Sequence, residues 1–242
     1  WGKIYSVNLE PDGSSYTGEK EEFISGAPLP VTDAIINPND GAMYFAIGGR
    51  RVQSGLYRVS YHGTESTKAI DPSIKNSKGA TERKIRRQLE AFHGVIHDDA
   101  ISTAWPYLDH EDRFLKWAGR TAIEHQPITS WAQRALNETD HGKRVEALLG
   151  LARVTGVDPF HRKDKSFLPD TGMRDQILNS LTEVQWSRLT HEQQLTLVRT
   201  YEITLTRFGQ PNTSLSDRIV NQLDPHFPAP TFQLNWLLCE TL

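Results

Sequence analysis

The stretch PLPVTDAIINPNDGAMYFAIGGRRVQSGLYRV, residues 28–59, decides how the first part of the chain is read. It holds strand-like runs at VTDAII (31–36), at AMYFAI (42–47) and at the start of GLYRVSY (55–61), each rich in the β-branched and aromatic residues that suit a pleated surface. Between the first two lies NPNDG, whose Asp40–Gly41 supplies the positive φ that a tight hairpin requires. The glycines of GGRRVQSG separate the second run from the third. Upstream, KIYSVNL (3–9) and KEEFIS (20–25) flank a second Asp-Gly pair at 12–13. Residues 1–63 therefore read as an antiparallel meander of about five strands, with breakers about every ten residues, a spacing that points to a sandwich, barrel or propeller.

Two residues in this stretch, Asp33 and Arg50, carry more chemistry than turns demand. Asp33 interrupts an apolar strand just after Thr32, and Arg50 and Arg51 follow a glycine pair where the backbone turns sharply. In a structural reading Asp33 caps a turn and Arg50 sits at a loop tip. In a functional reading Thr32, Asp33 and Arg50 face the mouth of a propeller channel, where charge and bidentate hydrogen bonds hold a sugar or a quinone.

From about residue 80 the period changes to that of a helix. DRFLKWAGRTAI places Phe114, Ala118 and Ala122 one turn apart, with Leu115 and Ile123 beside them. Similar stripes run through 143–154, 173–181 and 191–208. Asp98, Asp112 and Asp170 stand where helix starts are expected, and THEQ (190–193) has the capping-box pattern. Such helices with short polar links predict an antiparallel array over 81–242. The polar, aperiodic segment 64–80 reads as the linker between the two parts.

Composition narrows the function classes. The net charge is −3, and the basic run ERKIRRQ (82–88) reads as a solvated helix face, so nucleic-acid binding is not indicated. The single cysteine, Cys239, leaves no intrachain disulfide, no multi-cysteine metal site and no Cys-x-x-Cys-His haem attachment. No apolar run reaches the roughly 18–20 residues of a membrane span, and no signal peptide is visible. The chain opens without Met inside a strand pattern and closes inside an apolar helical one, so it reads as a piece of something longer. His93 and His97 in FHGVIHDD have zinc-ligand spacing on a continuous helix, but Gly94 argues that the helix ends between them, so no metal site is assigned.

On Pro30, Thr32 and Asp33 opening a strand, NPNDGAMYF as the next hairpin and GGR (48–50) before SGLYRVSY, the chain resembles the large extracytoplasmic membrane-bound dehydrogenase-type proteins. AWPYLDHEDRFLKWAGRTAIEHQP (104–127) is similar to the HEAT-like repeats of the same proteins, with Lys116 and Gly119 where the repeat usually has Arg and Ala. The resemblance implies a β-propeller similar to sorbosone and soluble glucose dehydrogenases, of which 1–63 is the last blade region, followed by HEAT-like helices. The expected fold is thus β plus α, with incomplete propeller blades and then an all-α array.

The resemblance further implies a periplasmic or secreted protein. In its full length it would be a quinone-dependent sugar or alcohol dehydrogenase using pyrroloquinoline quinone with calcium, with haem c in a downstream domain. The catalytic centre would lie mostly outside this chain, no catalytic residue is assigned, and the helices act as a scaffold for a protein partner or neighbouring domain. The alternative is a non-catalytic propeller and HEAT module that binds a carbohydrate or a protein.

Overall fold

Both Asp-Gly pairs turn the chain: Gly13 has φ +52° and Gly41 has φ +67°, values that glycine adopts without a Cβ clash. The structure, a computed structural model, describes residues 2–49, 51–66, 68, 78–160 and 168–242. It divides into two units, Trp1–Thr81 and Glu82–Leu242. The linker expected at 64–80 falls mostly on residues outside those described.

In the first unit β1 (Gly2–Asp12) and β2 (Ser15–Gly26) form one antiparallel hairpin. Strands β3 (Val31–Ile36), β4 (Met43–Gly49) and β5 (Val52–Val59) form a separate antiparallel sheet in that order. The joint between them is APLP (27–30), where Pro28 and Pro30 lack the N–H that a ladder needs. Pairing therefore stops at Gly26 and starts afresh at Val31. The propeller expectation is corrected here. Among the described residues there is no four-stranded blade and no closed sheet, only these two small sheets and nine α-helices in an α plus β architecture.

The β core is small. Leu29, Phe45 and Ile47 are buried, with Ile4, Ile24, Val31, Met43 and Val59 packed around them. Phe45 stacks on Tyr57 with centroids 5.0 Å apart. Asp40 ties the hairpin by accepting from the Ala42 N–H (3.1 Å) and the Tyr44 hydroxyl (2.9 Å), and Arg58 Nη2 stands 3.3 Å away. Those donors, the backbone one foremost, hold the Asp40 carboxyl below its ordinary pKa.

The second unit begins with α1 (Ala80–Glu90), which straddles the boundary, and continues through α2 (Ala100–Ala104), α3 (Arg113–Glu124) and α4 (Ala132–Leu136). Next come α5 (His141–Thr155), α6 (Thr171–Thr182), α7 (His191–Phe208), α8 (Thr213–Leu223) and α9 (Phe232–Thr241). Helices α4, α6 and α8 stack in one layer, while α3, α5, α7 and α9 stack in the other.

Helix starts follow the capping chemistry. Asp112 accepts from the Phe114 and Leu115 N–H groups, Asp170 from that of Met173, and Thr190 with Gln193 closes a full capping box. The expected Asp98 cap is displaced: Asp99 occupies that position in a helical conformation, and its side chain makes no capping bond.

Helix α5 is enclosed on nearly every side, with Gly142 and every residue from Arg144 to Ala152 buried. Two of these residues are charged. Glu146 is 3% exposed, and its carboxylate meets Arg120 Nη1 at 2.7 Å and Lys116 Nζ at 3.9 Å. Arg120 and Arg153 also flank Glu124, at 3.3 and 2.8 Å, so charges of opposite sign alternate between α3 and α5. Gly150 makes room for this ladder, since a Cβ there would stand 3.4 Å from Arg120 Cγ and 3.5 Å from Glu124 Cγ.

Candidate functional site

Thr32 and Asp33 lie at a β-bulge. Val31 pairs with Ile47 and Asp33 with Ala46, which leaves Thr32 as the extra residue. Its hydroxyl donates to the Ala46 carbonyl at 3.2 Å, while Asp33 Oδ1 accepts from the Ala34 N–H at 2.8 Å. Both side chains are exposed and serve the local backbone; Arg50 lies outside the described residues. Calcium takes six to eight oxygen ligands. The Thr32–Asp33 bulge offers one carboxylate and one hydroxyl, and both are already hydrogen-bonded. It does not fit a calcium-bound quinone.

The FHGVIHDD segment is a loop pinned onto α3. Gly94 has φ +76°. His93 Nε2 lies 2.9 Å from the Ala118 carbonyl, and the His97 N–H donates to Gln126 Oε1 at 3.0 Å. Gln126, buried, also donates to the Val95 and Ala122 carbonyls at 2.9 and 3.0 Å. Among the described residues no group of three or more His, Cys, Asp or Glu side chains converges as metal ligands would.

Two hollows remain. One, of about 530 Å³, belongs to the β unit, and its walls are mostly apolar, including Ile4, Phe23, Ile36, Met43 and Val59. The other, of about 370 Å³, is polar and lies between α4 and α6 over α5. A polar hollow can orient a ligand only if its groups are fixed, and here several are.

Arg144 on α5 forms the floor of the polar groove and is 8% exposed. Its Nη1 donates to Glu183 Oε2 at 3.0 Å and to the Ser180 carbonyl at 3.4 Å, and its Nε donates to the Glu138 carbonyl. Nη2 donates to no group among the described residues. Ser180 Oγ in turn donates to the Leu136 carbonyl at 3.0 Å, joining α6 to the last turn of α4. That bond sets the width of the groove.

The rim is made of amides: Gln133 and Asn137 from α4, Gln176 and Asn179 from α6. Asn179 is held on both ends, by Arg218 Nη1 at 2.6 Å and by its own donation to the Asp175 carbonyl at 2.7 Å. The side chains of Gln133, Asn137 and Gln176 bond to no group among the described residues.

Glu138, just beyond α4, anchors one end. Burial alone would raise its carboxyl pKa. The Asp140 N–H (3.0 Å), the Trp105 indole N–H (2.7 Å) and the Thr139 N–H (2.8 Å) together bring it below the ordinary value. At the α8 side, the fully buried Tyr201 donates to Gln222 Oε1 at 2.5 Å, and Gln222 donates to the Val184 carbonyl at 2.8 Å. Burial drives the Tyr201 pKa upward, so the phenol stays a donor.

The chemical capacity of this arrangement is recognition. It presents fixed donors and acceptors and one buried cation with a free N–H edge. Sequence reading missed it because its residues come from three successive helices and meet only when those helices stack. Two signals were present: Glu146 inside the otherwise apolar VEALLGLA (145–152) with Arg144 immediately before it, and amides one turn apart at 133 and 137. The fold and site together define a two-layer helical array with a polar groove; the small β unit is separate. Comparison with protein-family models, curated proteins and solved structures gives no match.

Proposed function

We propose that the chain is a non-catalytic protein-binding module in which the helical unit is the scaffold and the α4–α6 groove the contact surface. The observation that carries this reading is the groove itself, where a buried, anchored Arg144 lies beneath a rim of four amides, three of which bond to no group among the described residues. A binding surface of this kind needs a rigid support, and the enclosed helix α5 supplies it.

A photo-crosslinking residue at position 176, in cells that make the protein, tests the proposal. The same residue at Arg199, exposed on α7 and away from the groove, is the control. A discrete protein adduct from 176 and none from 199 is the expected result. Equal or absent crosslinking from both positions removes the proposal.

A further inference from the structure

We infer that the groove takes an extended peptide segment of the partner, read through its main chain, with one acceptor group of that segment seated on Arg144. The inference rests on the scaffold reading and adds the chemistry of the partner.

Three observations converge. The first is the type of rim group. A side-chain amide carries both N–H donors and a C=O acceptor, the two kinds of group a peptide main chain presents, so Gln133, Asn137 and Gln176, whose side chains bond to no group among the described residues, can each receive an N–H and serve a C=O. Apolar pockets that select side chains are not part of this rim.

The second observation is spacing. Gln133 and Asn137 lie four residues apart along a helical turn and its cap, a rise of about 6 Å. An extended chain repeats its same-face groups every two residues, about 6.7 Å. A strand lying along the α4–α6 groove therefore meets successive amides nearly in step, and its intervening residues point away.

The third is the floor. Nε and Nη1 of Arg144 are committed to the Glu138 carbonyl, the Ser180 carbonyl and Glu183, which fixes the plane of the guanidinium. The remaining Nη2 is a donor open to the groove that bonds to no group among the described residues. A carbonyl or carboxylate of the incoming segment satisfies it. Glu183 already offsets the Arg144 charge, so the groove is close to neutral and selects hydrogen-bond pattern over charge.

The test uses the full chain and a random dodecapeptide library displayed on phage. Enriched peptides are synthesised and titrated against the wild-type chain and the Gln133→Ala/Asn137→Ala/Gln176→Ala variant. All three positions are exposed, so the variant keeps its fold, which its urea midpoint verifies. The expected result is at least a tenfold loss of affinity in the triple variant. A similar loss follows N-methylation at alternate peptide residues, with little effect at the residues between them. Binding should also change less than threefold between 50 and 300 mM salt, about what a neutral groove allows.

Equal affinity for the triple variant overturns this inference and leaves the scaffold reading standing, since the peptides then bind elsewhere. Failure to enrich any peptide also overturns it, and the crosslinking comparison from positions 176 and 199 then decides the scaffold reading independently.

Discussion

Replacing Glu146 by alanine isolates the energetic weight of the charged ladder inside the helical unit. The carboxylate is 3% exposed and lies 2.7 Å from Arg120 and 3.9 Å from Lys116. Removing one member of a buried ion pair typically costs about 3–5 kcal/mol, because the partner stays buried without its counter-charge. Arg120 keeps Glu124 at 3.3 Å. That residual pairing lowers the expected cost to about 2–3 kcal/mol. Urea unfolding followed by tryptophan fluorescence is the suitable assay, since five of the six tryptophans lie between 105 and 236. With an m value of about 2 kcal/mol/M, the midpoint should fall by about 1–1.5 M. The double variant Glu146→Leu/Arg120→Met, which removes charge on both sides, should recover at least half of that loss. A fall below about 0.3 M for Glu146→Ala would show that water screens the ladder and would refute the argument.

Gly156→Ala should destabilise the helical unit by about 1–3 kcal/mol, because the new Cβ would lie 2.7 Å from the Ala152 carbonyl oxygen and from Arg207 Cβ; the urea midpoint reads this, and an unchanged value would contradict the packing. Tyr201→Phe should cost about 1–2 kcal/mol by stripping Gln222 of its 2.5 Å donor, again measured by urea, with no loss expected if that contact is not a real bond. The depressed Glu138 carboxyl contributes stability that is present above its unfolded pKa and is lost as pH falls through its lower folded pKa. Glu138→Gln should therefore flatten the acid limb of a thermal-stability profile at and below about pH 4.3, and an unchanged limb would refute the assignment. His226, stacked on Trp186 at 4.0 Å and held below its ordinary pKa by burial, acts with the same sign at higher pH. Its penalty should develop as pH falls below about 6.5 and vanish in His226→Phe.

Much of the local structure was legible because it depends on local chemistry. The Asp-Gly turns at 12–13 and 40–41 and the caps at Asp112, Asp170 and Thr190 are set by residues adjacent to the backbone groups they serve. The propeller was over-read because breaker spacing reports strand length and says nothing about which strands pair. The proline pair at 28 and 30, present in the quoted stretch, was the signal that β2 and β3 would not join one sheet. Thr32 and Asp33 stood out for a real reason, a bulge in which both side chains bond the local backbone. The groove was invisible for the opposite reason. Arg144 reads as one more charge in a helix until α5 is seen enclosed, and Gln133, Asn137 and Gln176 meet only through tertiary stacking.

Hydrogen–deuterium exchange of the full chain, with and without a saturating enriched dodecapeptide, addresses the binding claim most directly. Exchange should slow across 132–141 and 171–183, the segments that form the groove, and remain unchanged across 2–12 and 52–61 in the β unit. Protection confined to the β unit, or no protection around 133–137 and 176–183, would contradict the α4–α6 groove as the binding surface.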